Sequence, residues 1–350
     1  MFVVIKRLCR CGTFFLTLVL LNACSTISPS LPGTPSALDP HGPAAARLAN
    51  LLWVMLAFGT TVLVLVVGLL FAALWRNRRA TSATAPDSRD GDVGRNWVIW
   101  GGIALPLIVI GIVFAYSVYT LASVENPLAP PAVKIEVVGR RWWWQVKYPD
   151  QSVETANEIH MPVGVPIQIK LESADVIHSL WVPELHGKMD LIPTRINYLT
   201  LQADQAGVYR GMCAEFCGLQ HAHMGFMVVA QSNDDFNNWV RAQQQEAAEP
   251  TDQTAKQGQQ VFMAAGCVFC HTVRGLDDKE LDRSGVDLGP DLTHLYSRLT
   301  IAGASLTRDQ GNLAGWIVDP QHIKPGSLMP NPSLPSQDLQ KLLAYLATLQ

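Results

Sequence analysis

At 350 residues the chain is long enough for two or three domains, and its composition, 49% hydrophobic with only 16% charged residues, is apolar for a water-soluble protein. A net charge of -3 without any run of basic residues excludes a nucleic-acid-binding surface. The apolar excess points to membrane-spanning segments instead.

Residues 1–24 read as an export signal, with Lys6, Arg7 and Arg10 ahead of the apolar run Phe14–Leu21 and a small residue before Cys24. LNAC at 21–24 resembles a bacterial lipoprotein box and puts acylation on Cys24, although Asn22 stands where that pattern favours a small residue. Ordinary cleavage and an uncleaved anchor are the alternatives. Residues 25–46, rich in Ser, Pro, Thr and Ala, form a flexible lead-in. Leu48–Trp75 and Trp97–Val124 are uncharged, and each exceeds the ~20 residues that a spanning helix needs. Between them lie Arg76, Arg78, Arg79, Arg89 and Arg95, and basic connectors stay on the cytoplasmic side. The two-pass hairpin (47–124) therefore sits in a bacterial inner (plasma) membrane, with everything after residue 124 on the outer, periplasmic side.

From about residue 132 the hydrophobic period changes to two. Val133, Ile135 and Val137 alternate with polar residues, as do Ile167, Ile169 and Leu171, then Leu199, Leu201 and Ala203, while Met227–Ala230 reads as a buried strand. Short strands punctuated by Gly, Pro and Asp predict an antiparallel β-sandwich or barrel over 125–245, closed by a short helix at about 234–247. Residues 246–256 are a polar linker. The pattern over 257–350 is helical: Gln257–Ala265 precedes CVFCH, and Leu339, Leu342, Leu343, Leu346 and Leu349 share one helix face behind a Ser336 cap.

Of the seven cysteines, Cys9 and Cys11 fall in the signal and Cys24 in the lipoprotein box, leaving two pairs. Outside the cytoplasm such pairs default to disulfides. The first pair lies in CAEFCGLQHAHM (213–224), between GVYRGM and MGFMVVA, which read as paired strands, so a loop is expected there. Two nearby thiolates can bridge two soft metal ions, each still needing an imidazole and a weaker donor, and Cys, Met and His together select copper. The loop offers both thiolates, His221 and Met224. A second imidazole must come from elsewhere, and His178, at the end of a predicted strand in HSLWVPELHGKMD, supplies it. A Cys2His2 zinc site competes but gives Met224 no role. His160, His186 and His223 are expected on the surface or behind the ligands.

On these residues the chain resembles subunit II of the haem–copper cytochrome c oxidases over about residues 47–245, including GRRWWWQ at 139–145. The resemblance implies a cupredoxin domain with the dinuclear copper centre CuA: Cys213 and Cys217 bridge, His178 and His221 cap one copper each, Met224 is axial, and Glu215 binds through its main-chain carbonyl. It also implies that the Glu215 side chain faces the catalytic subunit at a shared magnesium ion, and that Trp142 is where electrons enter.

CVFCH at 267–271 matches covalent c-type haem attachment, with thioethers at Cys267 and Cys270 and His271 on the iron. A redox-active disulfide is the alternative, but no thioredoxin-like βαβ pattern surrounds it. Met263 lies too close to Cys267, so Met329 in GSLMPNP is the expected sixth ligand, with His294 and His322 as lesser candidates. GPDLTHL at 289–295 and the closing helix resemble class I cytochrome c, and the whole chain resembles subunit II of caa-type oxidases. A flexible linker of about ten residues would span roughly 15–20 Å and keep the haem near the copper.

The expected path runs from a cytochrome c-type donor to haem c, past Trp142 to the copper pair, and on to a catalytic subunit I that reduces oxygen with proton translocation. All nine histidines lie outside both spans, so the oxygen site belongs to a partner. The same module in a CuA-containing nitric oxide reductase, or a non-enzymatic membrane-anchored redox carrier, are the alternatives. Quinol oxidases of the family lack the copper ligands, which argues against a quinol donor.

Overall fold

A computed structural model describes residues 35–79, 90–125, 130–276 and 288–350. The expected signal with Cys9, Cys11 and Cys24, the first ten residues of the lead-in, and Arg89 of the connector lie outside the described residues.

Uncharged runs of this length can satisfy their backbone in lipid only as helices. Helix α1 covers Pro43–Arg79; a second rod is built from α2 (Asp90–Trp97), a π-helical turn (Val98–Ala104) and α3 (Leu105–Glu125). Both rods are long and apolar enough to cross a membrane, and side chains such as Leu63, Phe71, Trp100 and Phe114 are exposed on them. Arg47 of α1 donates to the Ser123 carbonyl near the end of α3, tying the two rods together. Within the second span, expected over 97–124, Val98–Ala104 adopt a π turn. Pro106 explains this, because a proline ring clashes with the carbonyl four residues back, and a wider turn relieves the clash. The Leu105 amide accordingly donates to Trp100, five residues back. The lead-in also differs from expectation over 35–46: the His41 amide donates to Glu184 O at 2.7 Å, the Asp204 amide to His41 O at 2.8 Å, and α1 already begins at Pro43.

Period-two alternation produces strands with one buried face. In β1 (Val133–Arg140) the residues Val133, Ile135 and Val137 point inward. The other strands are β2 (Trp143–Tyr148), β3 (Val153–Ala156), β4 (Glu158–Pro162), β5 (Ile167–Ser173), β6 (His178–Trp181), β7 (Met189–Leu191), β8 (Asn197–Leu201), β9 (Gly207–Cys213) and β10 (Gly225–Gln231). They form two five-stranded sheets, ordered β3-β2-β1-β5-β8 and β4-β10-β9-β6-β7. The sheets are mixed rather than purely antiparallel, since β1 runs parallel to β5 and β10 parallel to β4. Trp144, Tyr148, Ile169, Leu171 and Phe226 fill the space between them. Helix α4 (Asn233–Gln243) closes the sandwich, capped by Ser232, whose hydroxyl accepts from the Asp235 amide.

The C-terminal part packs α5 (Gln253–Ala264) against α8 (Ser336–Leu346), with Phe262 and Tyr345 edge to face at 5.6 Å. Asp252, within the stretch expected as linker, caps α5 by accepting from the Thr254 and Ala255 amides. Pro335, rather than Ser336, occupies the N-cap of α8, and Ser336 is its first helical residue. A hairpin of β11 (Thr300–Ile301) and β12 (Leu306–Thr307) and helices α6 (Gln310–Val318) and α7 (Pro320–Ile323) complete the domain.

The linker does not behave as a free tether. Ala247 N donates to Arg274 O at 2.9 Å, and Arg274 Nη2 donates to Gln243 O at 2.6 Å. The helical domain is docked on the sandwich by cross-domain hydrogen bonds: the Leu299 and Thr300 amides donate to the buried Glu158 carboxylate, Arg210 Nη2 to Ala304 O (3.0 Å), Gln220 Nε2 to Pro325 O (2.7 Å), and the Gly225 amide to Gly303 O (2.9 Å). Backbone groups that would otherwise be buried without partners are satisfied across this seam.

Candidate metal centre and haem crevice

The loop between β9 and β10 is short, and the two strands that it joins fix both of its ends. Cys213 ends β9, its amide donating to Met224 O at 2.9 Å, so the two ends of the ligand run face each other. Cys217 Sγ then lies 3.8 Å from Cys213 Sγ, and both thiols are free and buried. His178 Nδ1 stands 3.9 Å from Cys213 Sγ; His221 Nδ1 and Met224 Sδ stand 3.7 and 3.8 Å from Cys217 Sγ. Cys213 Sγ also reaches the Glu215 carbonyl at 3.3 Å. Donor atoms bound to one tetrahedral soft metal, at bond lengths near 2.3 Å for sulfur and 2.0 Å for nitrogen, are about 3.5–3.8 Å apart, so the spacing fits metal ligation.

How many ions fit follows from the same distances. The ligand atoms of His178, Cys213 and Cys217 all lie within 4.8 Å of one another, while His221 stands outside that group, beside Cys217 alone. A single tetrahedral ion would need all four donors mutually close. Two ions sharing the sulfurs, with one imidazole each, match the arrangement better.

Electrostatics favour loading. The Cys213 thiol is drawn down to about 3, chiefly by the hydrogen bond from Cys217, and burial opposes the fall. Cys217 is pushed up by the same bond and by burial. Thiolate ligation releases protons, so metal uptake at this pair rises with pH.

His178 begins β6 rather than ending a strand, and the preceding turn supplies its partner. Nε2 donates to Asp175 Oδ1 at 2.8 Å, which leaves Nδ1 free for metal. Burial alone would raise the Asp175 carboxyl, but the bonds from His178 and from the Val176 and Arg141 amides outweigh it and hold it below the usual range. Gly139 on β1 gives the ring room, since a Cβ there would lie 2.8 Å from His178 Cδ2. The only sequence signals for these two were an Asp three residues before the His and a Gly before the tryptophan run. Asp175→Ala is expected to weaken copper retention about 10–100-fold, read as faster loss to a chelator at unchanged copper stoichiometry.

The other histidines separate. His160 and His186 are buried, not superficial: His160 stacks on Trp239 at 4.2 Å and contacts Glu158, while His186 Nδ1 donates to Gly187 O. His223 is exposed. The Glu215 carboxylate pairs with Lys188 at 3.5 Å, and among the described residues it joins no group of three metal-ligating side chains.

The tryptophan run divides by role. Trp144 is a core residue, lying edge to face against Phe226, while Trp143, on the opposite face of β2, is buried along the wall of the cavity described next. Trp142 is half-buried, and its Nε1 donates to the Cys217 carbonyl at 3.0 Å. Gly218, at φ +112°, lets the indole lie against the loop, since a Cβ there would meet Trp142 Cζ2 at 3.1 Å.

On its other side Trp142 lines a cavity of about 410 Å³ whose walls include Cys267, Cys270, His271, Met329 and Lys324. The 3-10 turn at Cys267–Phe269 brings His271 N onto Cys267 O, so both thiols and the imidazole face one space. His271 Nδ1 donates to Pro290 O at 2.8 Å, leaving Nε2 for iron, and burial pulls its pKa down, favouring the neutral ligand form. Met329 is the methionine on the wall; Met263 is not. His294 has both ring nitrogens at carbonyls, those of Gln350 and Gln245, and His322 does not line the cavity.

The family described as cytochrome C oxidase subunit II, periplasmic domain, matches residues 150–231, and the cytochrome c family matches residues 255–350. A cytochrome c oxidase subunit 2 of Alkalihalophilus pseudofirmus is 33% identical over 319 residues, covering 90% of this chain and 91% of that protein. A quinol oxidase subunit 2 of Bacillus spizizenii is 32% identical over 225 residues, covering 62% of this chain and 68% of that protein. Among solved structures, the periplasmic domain of subunit II of cytochrome oxidase from Bradyrhizobium japonicum is 28% identical, covering 33% of this chain and 96% of that chain, with a TM-score of 0.32.

Proposed function

The chain belongs to the cytochrome c oxidase subunit II family and carries a cytochrome c domain, and from that membership we propose that it is the electron-input subunit of a membrane terminal oxidase. It accepts electrons from a cytochrome c-type donor through covalent haem c and a dinuclear copper centre, and delivers them to a catalytic subunit I that reduces oxygen to water with proton translocation. The observation that carries this reading is the double contact of Trp142, whose ring lines the haem crevice while its N–H bonds the Cys217 carbonyl.

When bound, the two groups supply one-electron carriers at neighbouring sites. The rest falls to this chain's side chains. Cys213 and Cys217, with His178 and His221, would hold the coppers, and Met224 and the Glu215 carbonyl would complete the set. Burial of Cys213, Cys217, His178 and Met224, with His178 at 0% and Met224 at 1% exposure, shields these ligands from water and helps to keep their positions fixed during redox change. Cys267 and Cys270 would attach the haem and His271 and Met329 would hold its iron; a Met/His pair raises the potential toward that of a carrier. The Glu215 carboxylate faces the partner subunit, where a magnesium ion would need further ligands from that subunit. The two apolar rods anchor the chain, and the basic connector places both domains on the periplasmic side.

Metal analysis and EPR on the full chain in detergent test the reading. Copper and iron near two to one, with a mixed-valence copper signal, are expected; zinc, or one isolated copper, would refute the site. Oxygen as the acceptor is checked by turnover of the purified complex, where reduction of nitric oxide alone would move the assignment.

A further inference from the structure

Lys324 is an unusual residue to find inside the docking seam. It follows α7 in the helical domain and is 3% exposed, yet its Nζ donates to Trp142 O of the sandwich at 3.0 Å and to Ala302 O of its own domain at 3.1 Å. Burying an ammonium is costly unless it is well bonded, and burial pulls this one down to about 8. Among the described residues no carboxylate bonds it. A leucine or methionine of similar length would fill the same space without that cost, so packing does not account for a lysine here.

Position supplies the reason. The Trp142 residue is held at three points: its indole N–H on Cys217 O, its ring on Gly218, and its carbonyl on Lys324. The first two belong to the sandwich alone. The third is the hydrogen bond by which the helical domain grips this residue, and Lys324 also lines the crevice. Gly303, next to Ala302, packs so closely that a Cβ there would lie 2.9 Å from Nζ and 3.2 Å from Trp142 O.

We propose that Lys324 is a positioning residue: by bridging the Trp142 and Ala302 carbonyls it sets the distance between the crevice and the indole that touches the Cys217 carbonyl, and so sets the rate of electron transfer between the two sites. The inference rests on the functional reading above. The role is that of a two-carbonyl clamp, so hydrogen-bond donors in this place matter more than the charge. Transfer rates fall steeply with separation, and a loosened seam lengthens the gap.

Three full-length variants test it. Lys324→Met keeps length and loses the donors; Lys324→Gln keeps an amide donor and loses the charge; Arg210→Met removes a different cross-domain cation, the one bonded to Ala304 O. After flash reduction of the haem, Lys324→Met is expected to slow re-oxidation by the copper pair at least 10-fold with both optical and EPR spectra intact. Lys324→Gln should stay within about 3-fold of the unmodified rate, restoring most of what methionine loses, and Arg210→Met should stay near it. In metal-free protein, hydrogen exchange over residues 141–145 should quicken in Lys324→Met and not in Arg210→Met. An unchanged rate in Lys324→Met, an equal loss in Arg210→Met, or a glutamine variant as slow as methionine overturns the proposal. If the methionine variant fails to take up haem or copper, Lys324→Leu, which also lacks the donors, takes its place in the rate measurement, and a leucine variant as fast as the glutamine one overturns the proposal. Missing cofactor spectra in the unmodified chain would sink the functional reading instead.

Discussion

Cys217→Ser is expected to abolish the mixed-valence copper signal while leaving the haem spectrum untouched. The reason is the contact geometry: Cys217 Sγ is the sulfur that meets Cys213, His221 and Met224, whereas Cys213 meets His178, the Glu215 carbonyl and Cys217. A serine hydroxyl neither ionises in this range nor bridges soft metals, so His221 and Met224 lose the atom that connects them to the rest. What survives is Cys213 with His178, enough for one copper at most. The expected EPR change is from a shared-electron spectrum to that of an isolated ion, with copper content falling to half or less. The cytochrome domain has its own core around Phe262, Leu343 and Tyr345, so haem attachment should persist. A retained mixed-valence signal would show that the sulfur at 217 does not bridge.

Met329→Ala should convert the haem from a low-spin Met/His species to one lacking the sixth ligand, at constant copper signal. The substitution is clean because the segment is held by its neighbours: Gln321 Nε2 donates to Ser327 O and Met329 O, and its Oε1 accepts from the Gly326 amide. Truncating the side chain leaves those bonds in place. Among the described residues no other methionine and no histidine besides His271 lines the cavity: His294 is engaged by two carbonyls, and Met263 and His322 lie elsewhere. The loss is read from the long-wavelength sulfur-to-iron absorption and from a falling reduction potential. An unaltered spectrum would move the sixth ligand to another residue.

The parts of this protein that were legible in its sequence are those carried by local pattern. Two uncharged runs gave the spanning rods, alternation in Val133–Val137 and Ile167–Leu171 gave strands with the right faces, and the run from Cys213 to Met224 brought four candidate ligands to one loop. Periodicity says which face of a strand is buried but not which strand lies beside it, so the parallel pairing of β1 with β5 and β10 with β4 could not be read. The π turn depended on how one proline at 106 is accommodated. The docking seam was invisible for a different reason: Glu158, Arg210, Gln220 and Lys324 act singly, each reaching a main-chain group far away in sequence, and no motif records that. Asp175 was missed likewise, since one acid near a histidine is common.

The seam has a kinetic corollary. Its bonds are mostly aimed at peptide groups and are buried or half-buried, and such interactions feel dissolved ions less than exposed ones do at the ~8 Å screening length of physiological salt. Internal hand-off between the two domains should therefore be indifferent to ionic strength. Capture of a separate donor protein on the open surface should respond to it, through the association rate.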